Sequence, residues 1–267
     1  MSDAPSNDVL YEVADHVATI TINRPEVQNT ISGPMLDALT HRLLEADRDP
    51  EVRAMIITGT GRFFCAGLDL RTGSPGGGGA TTQRAPSVTL DLRSTPPTVL
   101  HNLDTPTICA LNGSAAGYGM DLALGCDIRI MADNAKLAAA FTARGIVPES
   151  GGTWILPRLI GWSKAAELIF TGRTLTAAES EALGLVSRVV PAAETLAAAQ
   201  ALGREIASNA PLAVQSSKRM MRMGMNETFD DHVHHVFLQL LPLFQTEDFR
   251  EGMASFMQKR KAEFKGR

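Results

Sequence analysis

Aromatic residues make up only 5% of this 267-residue chain, cysteine occurs three times, and no apolar run approaches the roughly 20 residues that a spanning helix needs. Each shortage excludes a class of protein. Cys65, Cys109 and Cys126 form an odd set without a C-x-x-C pair, which argues against a disulfide framework or a zinc knuckle and fits small buried hydrophobes in a reducing compartment. Lys and Arg total 25 against 29 Asp and Glu, a net charge of −4, so no positive field exists to neutralise a phosphate backbone. Neither nucleic acid nor a membrane is an expected partner. The opening MSDAPSND has no basic n-region and no apolar h-region, and a cytoplasmic location is expected. What the chain does have is 44% hydrophobic residues, enough for one large core.

The first 60 residues read as strand, strand, helix, strand. Val9–Val13 and His16–Ile22 form a hairpin around Ala14-Asp15, a helix opens near Ser32 and stops before Asp49-Pro50, and Arg53–Thr58 is a short apolar strand. Residues 72–86 are rich in Gly, Pro and Thr and predict a mobile surface loop without the Gly-Lys-Ser/Thr ending of a phosphate loop. A helix over Ser87–Leu103 follows, then strands at Thr107–Leu111, Asp127–Met131 and near Lys136–Ala140, with a helix over Gly117–Gly125. From Thr153 onward the pattern is helical apart from an extended piece near Leu185–Val190, and the last helix is expected over Glu247–Phe264. The tail carries Phe229, Val233, Phe237, Leu240 and Leu241, apolar surface that packing on a neighbouring subunit would bury.

Two glycine turns carry the chemistry. Asn112-Gly113-Ser114-Ala115-Ala116-Gly117-Tyr118-Gly119-Met120-Asp121 runs from a strand end through small residues into a helix, where backbone N–H groups without intrahelical partners can hold an oxyanion. The dinucleotide fingerprint G-x-G-x-x-G fails there at Leu122. Gly61-Arg62-Phe63-Phe64-Cys65-Ala66-Gly67-Leu68-Asp69-Leu70 repeats the theme. Two N–H donors from separate turns are the usual construction of an oxyanion hole.

These segments, F-C-A-G-L-D-L and N-G-S-A-A-G-Y-G-M-D-L-A-L-G-C-D-I-R, followed by G-I-V-P-E-S-G-G and by F-R-E-G-M-A-S-F-M-Q-K-R-K-A-E-F-K-G, resemble the crotonase superfamily of enoyl-CoA hydratases and isomerases. The likeness runs from Asn23-Arg24-Pro25 to the last residue. It implies an α/β fold, the ClpP/crotonase spiral of β-β-α units, with a C-terminal helical region that makes a homo-trimer or a dimer of trimers. It also implies an acyl-CoA substrate whose ester oxygen is held by the N–H groups of Leu68 and Tyr118, a position where the family often has Gly. Ala66, Gly67, Asp69, Leu70, Phe141 and Trp154 are expected to line the substrate. Phe256 and Lys259 match the family residues that reach a neighbouring subunit's CoA, Lys259 as a point charge for phosphate. No cofactor other than the coenzyme A of the substrate, and no metal, is expected. The expected division is a core with the acyl-CoA site over 1–190 and a helical oligomerisation region over 191–267.

Carboxylates decide the reaction. Hydratases of the family activate water with two glutamates; the matching positions here are Asp121, shorter by about 1.5 Å of reach, and Phe141, which transfers no proton. Glu149 stands where some isomerases of the family carry their base. One carboxylate beside a thioester enolate can take a proton from C2 and return it at C4. Such a base works best in an apolar pocket, expected from Phe141, Trp154 and Ile146. The expected activity is therefore 3-enoyl to 2-enoyl isomerisation with Glu149 as base, while Asp121 orients it, contacts the acyl chain or serves as a second acid. Hydration by Asp121 and Glu149, or a catalytically silent CoA-binding trimer, are the alternatives. His232 and His235 share a helical face with no acidic or cysteine partner expected nearby, which disfavours a metal site.

Overall fold

The computed structural model describes residues 7–69 and 95–267. Leu70, the 72–86 stretch and residues 87–94 of the expected helix lie outside the described residues. The hairpin of Val9–Ala14 (β1) and Val17–Ile22 (β2) turns at Asp15 and His16, both at positive φ (51° and 62°), the primed-turn geometry that matches strand twist. Gly33–Arg48 (α1) buries Met35, Leu39, Leu43 and Ala46, a stripe at helical spacing. Ser32 caps it by position alone, since its side chain makes no capping bond.

Ala54–Gly59 (β3), Thr107–Leu111 (β5), Ile128–Ala132 (β7) and Arg188–Val190 (β10) join β1 and β2 in a six-stranded sheet of order β1-β2-β3-β5-β7-β10, parallel from β2 onward. A smaller sheet, of which only the strand near Lys136–Ala140 was expected, pairs Phe63–Cys65 (β4), Ser114–Ala116 (β6), Lys136–Ala138 (β8) and Thr174–Thr176 (β9). After β3, β5 and β7 the chain passes within a few residues into β4, β6 and β8. Helices then follow: Pro96–Asn102 (α2), Tyr118–Gly125 (α3), and Gly152–Ile160 (α4) with Trp162–Thr171 (α5). Repetition of strand, strand and helix is the expected spiral. Ala177–Ala182 (α6), opened by a reciprocal cap between Thr176 and Glu179, leads back to β10.

Both faces of the large sheet are buried. One presents Ile20, Ile22, Met55, Ile57, Cys109 and Met131 to α1 and α3; the other presents Val17, Ala54, Ile56, Ile108 and Ala110 to Ala199 and Ala207 of α7 (Thr195–Ala207). The packed core therefore runs on to Ala207, past the division expected at 190. Pro211–Gly224 (α8) is fastened to this body by Lys218 on Asp127 (2.7 Å) and by Arg219 and Arg222 on Asp104.

Phe229–Leu243 (α9) and Glu247–Gln258 (α10) stand off, exposing Phe229, Phe237, Leu241, Phe256 and Met257. The last helix ends at Gln258, six residues earlier than expected (264 − 258), because Lys259 turns left-handed (φ 55°). Asp248 then accepts the N–H groups of Lys265 (2.6 Å) and Gly266 (2.8 Å), and Arg53 donates to the Phe264 carbonyl at 2.9 Å. His232 and His235 do have an acidic neighbour: Glu227, in the α8–α9 turn, meets their Nδ1 atoms at 3.0 and 2.9 Å. Among the described residues no group of three or more His, Cys, Asp or Glu is arranged to hold a metal, and no helix is long and apolar enough to cross a membrane.

Candidate active site

The first turn is laced to the segment before α1. Ala66 N–H donates to the Gln28 carbonyl (3.1 Å), Ile31 N–H to Gly67 (2.9 Å) and Asp69 N–H to Ile31 (2.9 Å), while Leu68 N–H between them has no backbone acceptor among the described residues. On the second turn Gly117 N–H donates to Ala138 (3.1 Å), and Met120 and Asp121 N–H return to the Gly117 carbonyl (2.9 and 3.1 Å). Tyr118 N–H, at the start of α3, is left over in the same way. The turns touch. A β carbon on Gly67 would lie 3.2 Å from the Ala116 carbonyl oxygen and 3.9 Å from Tyr118 N, and its φ of +110° is open only to glycine. Two unspent donors thus stand side by side, an arrangement that can hold an oxyanion.

Under the first turn lies a frame that sequence reasoning missed. Asn29, fully buried at φ 55°, donates to the carbonyls of Thr60 (2.9 Å) and Phe63 (2.6 Å) and accepts Arg24 N–H (2.8 Å). Arg24 donates to the Thr30 carbonyl (3.1 Å) and meets Asp69 at 3.3 Å. Asp69, expected against the substrate, is instead buried and turned to this arginine, because a carboxylate out of water needs a charged partner. An asparagine beside Arg-Pro was the available signal, since Asn tolerates the left-handed region.

The two carboxyls have opposite surroundings. Asp121, in the first turn of α3, is 2% exposed, and the start of α4 presses on it: Gly152 N–H donates at 3.3 Å, and a β carbon on Gly152 would lie 2.3 Å from Oδ1. Burial drives the Asp121 pKa up to about 7, against the N–H bonds of Gly152 and Ser150 and with the help of the Glu149 charge. Glu149 is exposed and lies in the loop before α4, which starts at Gly152. The apolar pocket expected around it is not assembled among the described residues. Phe141 is buried, with a ring carbon 4.0 Å from where a β carbon on Gly117 would sit; Trp154 meets His101 in a T-shaped contact (5.2 Å between ring centres) and carries the Arg158 guanidinium over its ring (3.9 Å to the centre); Ile146 is exposed. The dry carboxyl expected at 149 is found at 121.

Tyr118 adds an unforeseen group. Its side chain is 6% exposed and its hydroxyl has no hydrogen-bond partner among the described residues. Burial, then the charges of Cys65, Glu149 and Asp121, push its pKa well above the ordinary tyrosine value. Phe256 and Lys259 stand exposed at the end of α10.

The sequence pattern of the enoyl-CoA hydratase/isomerase family matches residues 12–267. The chain belongs to that family. The short-chain-enoyl-CoA hydratase of Clostridium acetobutylicum is 35% identical over 271 residues, covering 98% of this chain and 99% of the relative. The 1,2-epoxyphenylacetyl-CoA isomerase of Escherichia coli is 37% identical over 265 residues, covering 97% and 98%. A crystal structure of an enoyl-CoA hydratase from Bacillus anthracis matches with a TM-score of 0.87 at 34% identity, over 98% of this chain and all of that one (100%). The spiral is the crotonase fold, and the chain is an acyl-CoA enzyme of the enoyl-CoA hydratase/isomerase family.

Proposed function

We propose that the enzyme shifts a double bond of an enoyl-CoA from C3 to C2. The reading rests on one observation: two carboxyls beside the same glycine turn, one buried and near neutrality, the other exposed, the split by which acid and base roles divide. The ester oxygen sits on the N–H groups of Leu68 and Tyr118, each worth about 2.7–4 kcal/mol as charge develops there. Glu149 takes the proton from C2, and the electrons move onto the ester oxygen to give the enolate. Glu149 then returns the proton at C4. Asp121, in its acid form, donates toward Glu149 and fixes its orientation. Phe141 walls the turn where hydratases of the family carry their second glutamate, so no carboxylate pair grips a water. No resident cofactor is called for, since coenzyme A arrives with the substrate. The exposed apolar face of α9 and α10 fits a homo-trimer or a dimer of trimers, in which Phe256 and Lys259 reach a neighbour's CoA.

Conversion of a 3-enoyl-CoA to its 2-enoyl isomer, measured for wild type and Glu149→Gln, tests this; full activity in the variant overturns it. The hydratase name of the Clostridium acetobutylicum relative favours a second reading, hydration by Asp121 and Glu149. Loss of 2-enoyl absorbance from crotonyl-CoA faster than isomerisation would establish it instead.

A further inference from the structure

Leu68 lies in no helix and in neither sheet; a single parallel bridge to Ile31 holds it. Ile31 N–H donates to the Gly67 carbonyl and Asp69 N–H to the Ile31 carbonyl, both at 2.9 Å. In such a bridge the bracketed residue turns its own N–H and C=O to the other side, which is why the Leu68 N–H faces away from Ile31. Two hydrogen bonds are a slight hold on a donor that has to keep its place to within about 0.5 Å. Arg24 closes the bridge from outside. Just past the end of β2, one nitrogen of its guanidinium donates both to the Thr30 carbonyl (3.1 Å), before Ile31, and to Asp69 Oδ2 (3.3 Å), after Leu68. The main chain of Arg24 is itself fixed, its N–H on Asn29 Oδ1 (2.8 Å) and its carbonyl under Asn29 N–H (2.9 Å), so the clip is rooted in the large sheet through β2. The Arg24 and Asp69 side chains are 18% and 2% exposed. A buried ion pair adds little net stability over apolar side chains of the same shape, while losing one partner strands the other charge. What this pair supplies is a geometry.

We infer that Arg24 and Asp69 are positioning residues: their ion pair clips the two sides of the Ile31–Leu68 bridge together and so aims the Leu68 N–H at the ester oxygen. This rests on the proposed seat of that oxygen between Leu68 and Tyr118 and adds the part that keeps one donor in place. Neither side chain touches the substrate. Loosening the clip leaves binding of the acyl-CoA intact and weakens the one contact that strengthens as negative charge gathers on the oxygen, so the loss falls on kcat rather than on KM.

The test compares wild type with Asp69→Asn, Arg24→Met and Arg24→Lys in two measurements. One is conversion of a 3-enoyl-CoA to its 2-enoyl isomer; the other is the infrared band of the ester carbonyl in bound hexanoyl-CoA labelled with carbon-13 at C1, which moves to lower frequency when N–H groups polarise it. Asp69→Asn and Arg24→Met are expected to lower kcat by about 10- to 100-fold with KM held within about threefold, and to shrink the shift of the carbonyl band. Arg24→Lys, which restores a charge opposite Asp69, is expected to recover part of both. A carbonyl band as in wild type in all the variants overturns the inference, whatever happens to kcat or the melting temperature, and failure of all three to fold overturns it in favour of a purely structural pair. Should wild type isomerise no 3-enoyl-CoA, the isomerase reading fails by itself, and the band, which needs only binding, still decides the role of the clip. A wild-type band without a shift overturns the oxyanion hole and the clip with it.

Discussion

Asp121 and Glu149 sit on segments that meet at the start of α4, yet the first turn of α3 and the loop before α4 treat a carboxyl in opposite ways. The α3 turn presents its acid to the flush backbone of Gly152 and closes water out; the loop leaves its acid in solvent. The difference teaches that proximity in the fold does not set a carboxyl's chemistry. The dielectric around it does.

Three substitutions would break or sharpen the contrast. Glu149→Gln removes the proposed base and should lower the proposed isomerase kcat by at least about 100-fold; a smaller loss in a steady-state assay would shift the base role away from the exposed acid. Asp121→Asn should lower kcat less, by roughly tenfold, and flatten the activity profile around pH 7, since in the proposed mechanism the acid form orients Glu149.

The same substitution separates stability from activity. With its pKa raised from 3.8 to about 7, native Asp121 keeps a proton that the unfolded chain gives up, so its stabilising contribution is complete at low pH and is lost as pH rises through about 7. Urea unfolding should therefore show Asp121→Asn more stable than wild type at pH 8, by on the order of 3 kcal/mol, and the advantage should shrink toward pH 5. Gly152→Ala forces a methyl onto the Asp121 carboxyl and should cost about 1–3 kcal/mol of stability, read from the urea midpoint. Smallest of all, Glu149→Gln should move stability by no more than about 0.5 kcal/mol, because its side chain is already in water; a larger loss would mean that the loop depends on that acid.

The sequence exposed most of the large sheet because β2, β3 and β5 are long enough for apolar runs to stand out between turn residues. Of the small sheet only β8 was legible, as the strand expected near Lys136–Ala140: β4, β6 and β9 have three residues each, and Ser114–Ala116 carries no branched side chain to mark a strand. The glycine turns were legible because their chemistry belongs to the backbone, which side-chain identity scarcely alters. Roles that depend on distant partners were not. Asp69 is claimed by Arg24, 45 residues earlier, and Asp121 is dried by Gly152, 31 residues later. The unpaired Tyr118 hydroxyl is likewise a property of what surrounds the ring.

The hydrogen bonds from Arg53 to the carbonyls of Ala207 and Phe264 anchor the chain just before α8 and again after α10 to the same point at the start of β3. The three intervening helices therefore form a handle fixed at both ends rather than a lever hinged at one. Tethered in this way, the chain has less freedom to lose if neighbouring copies cover its apolar outer face, as the proposed trimer requires.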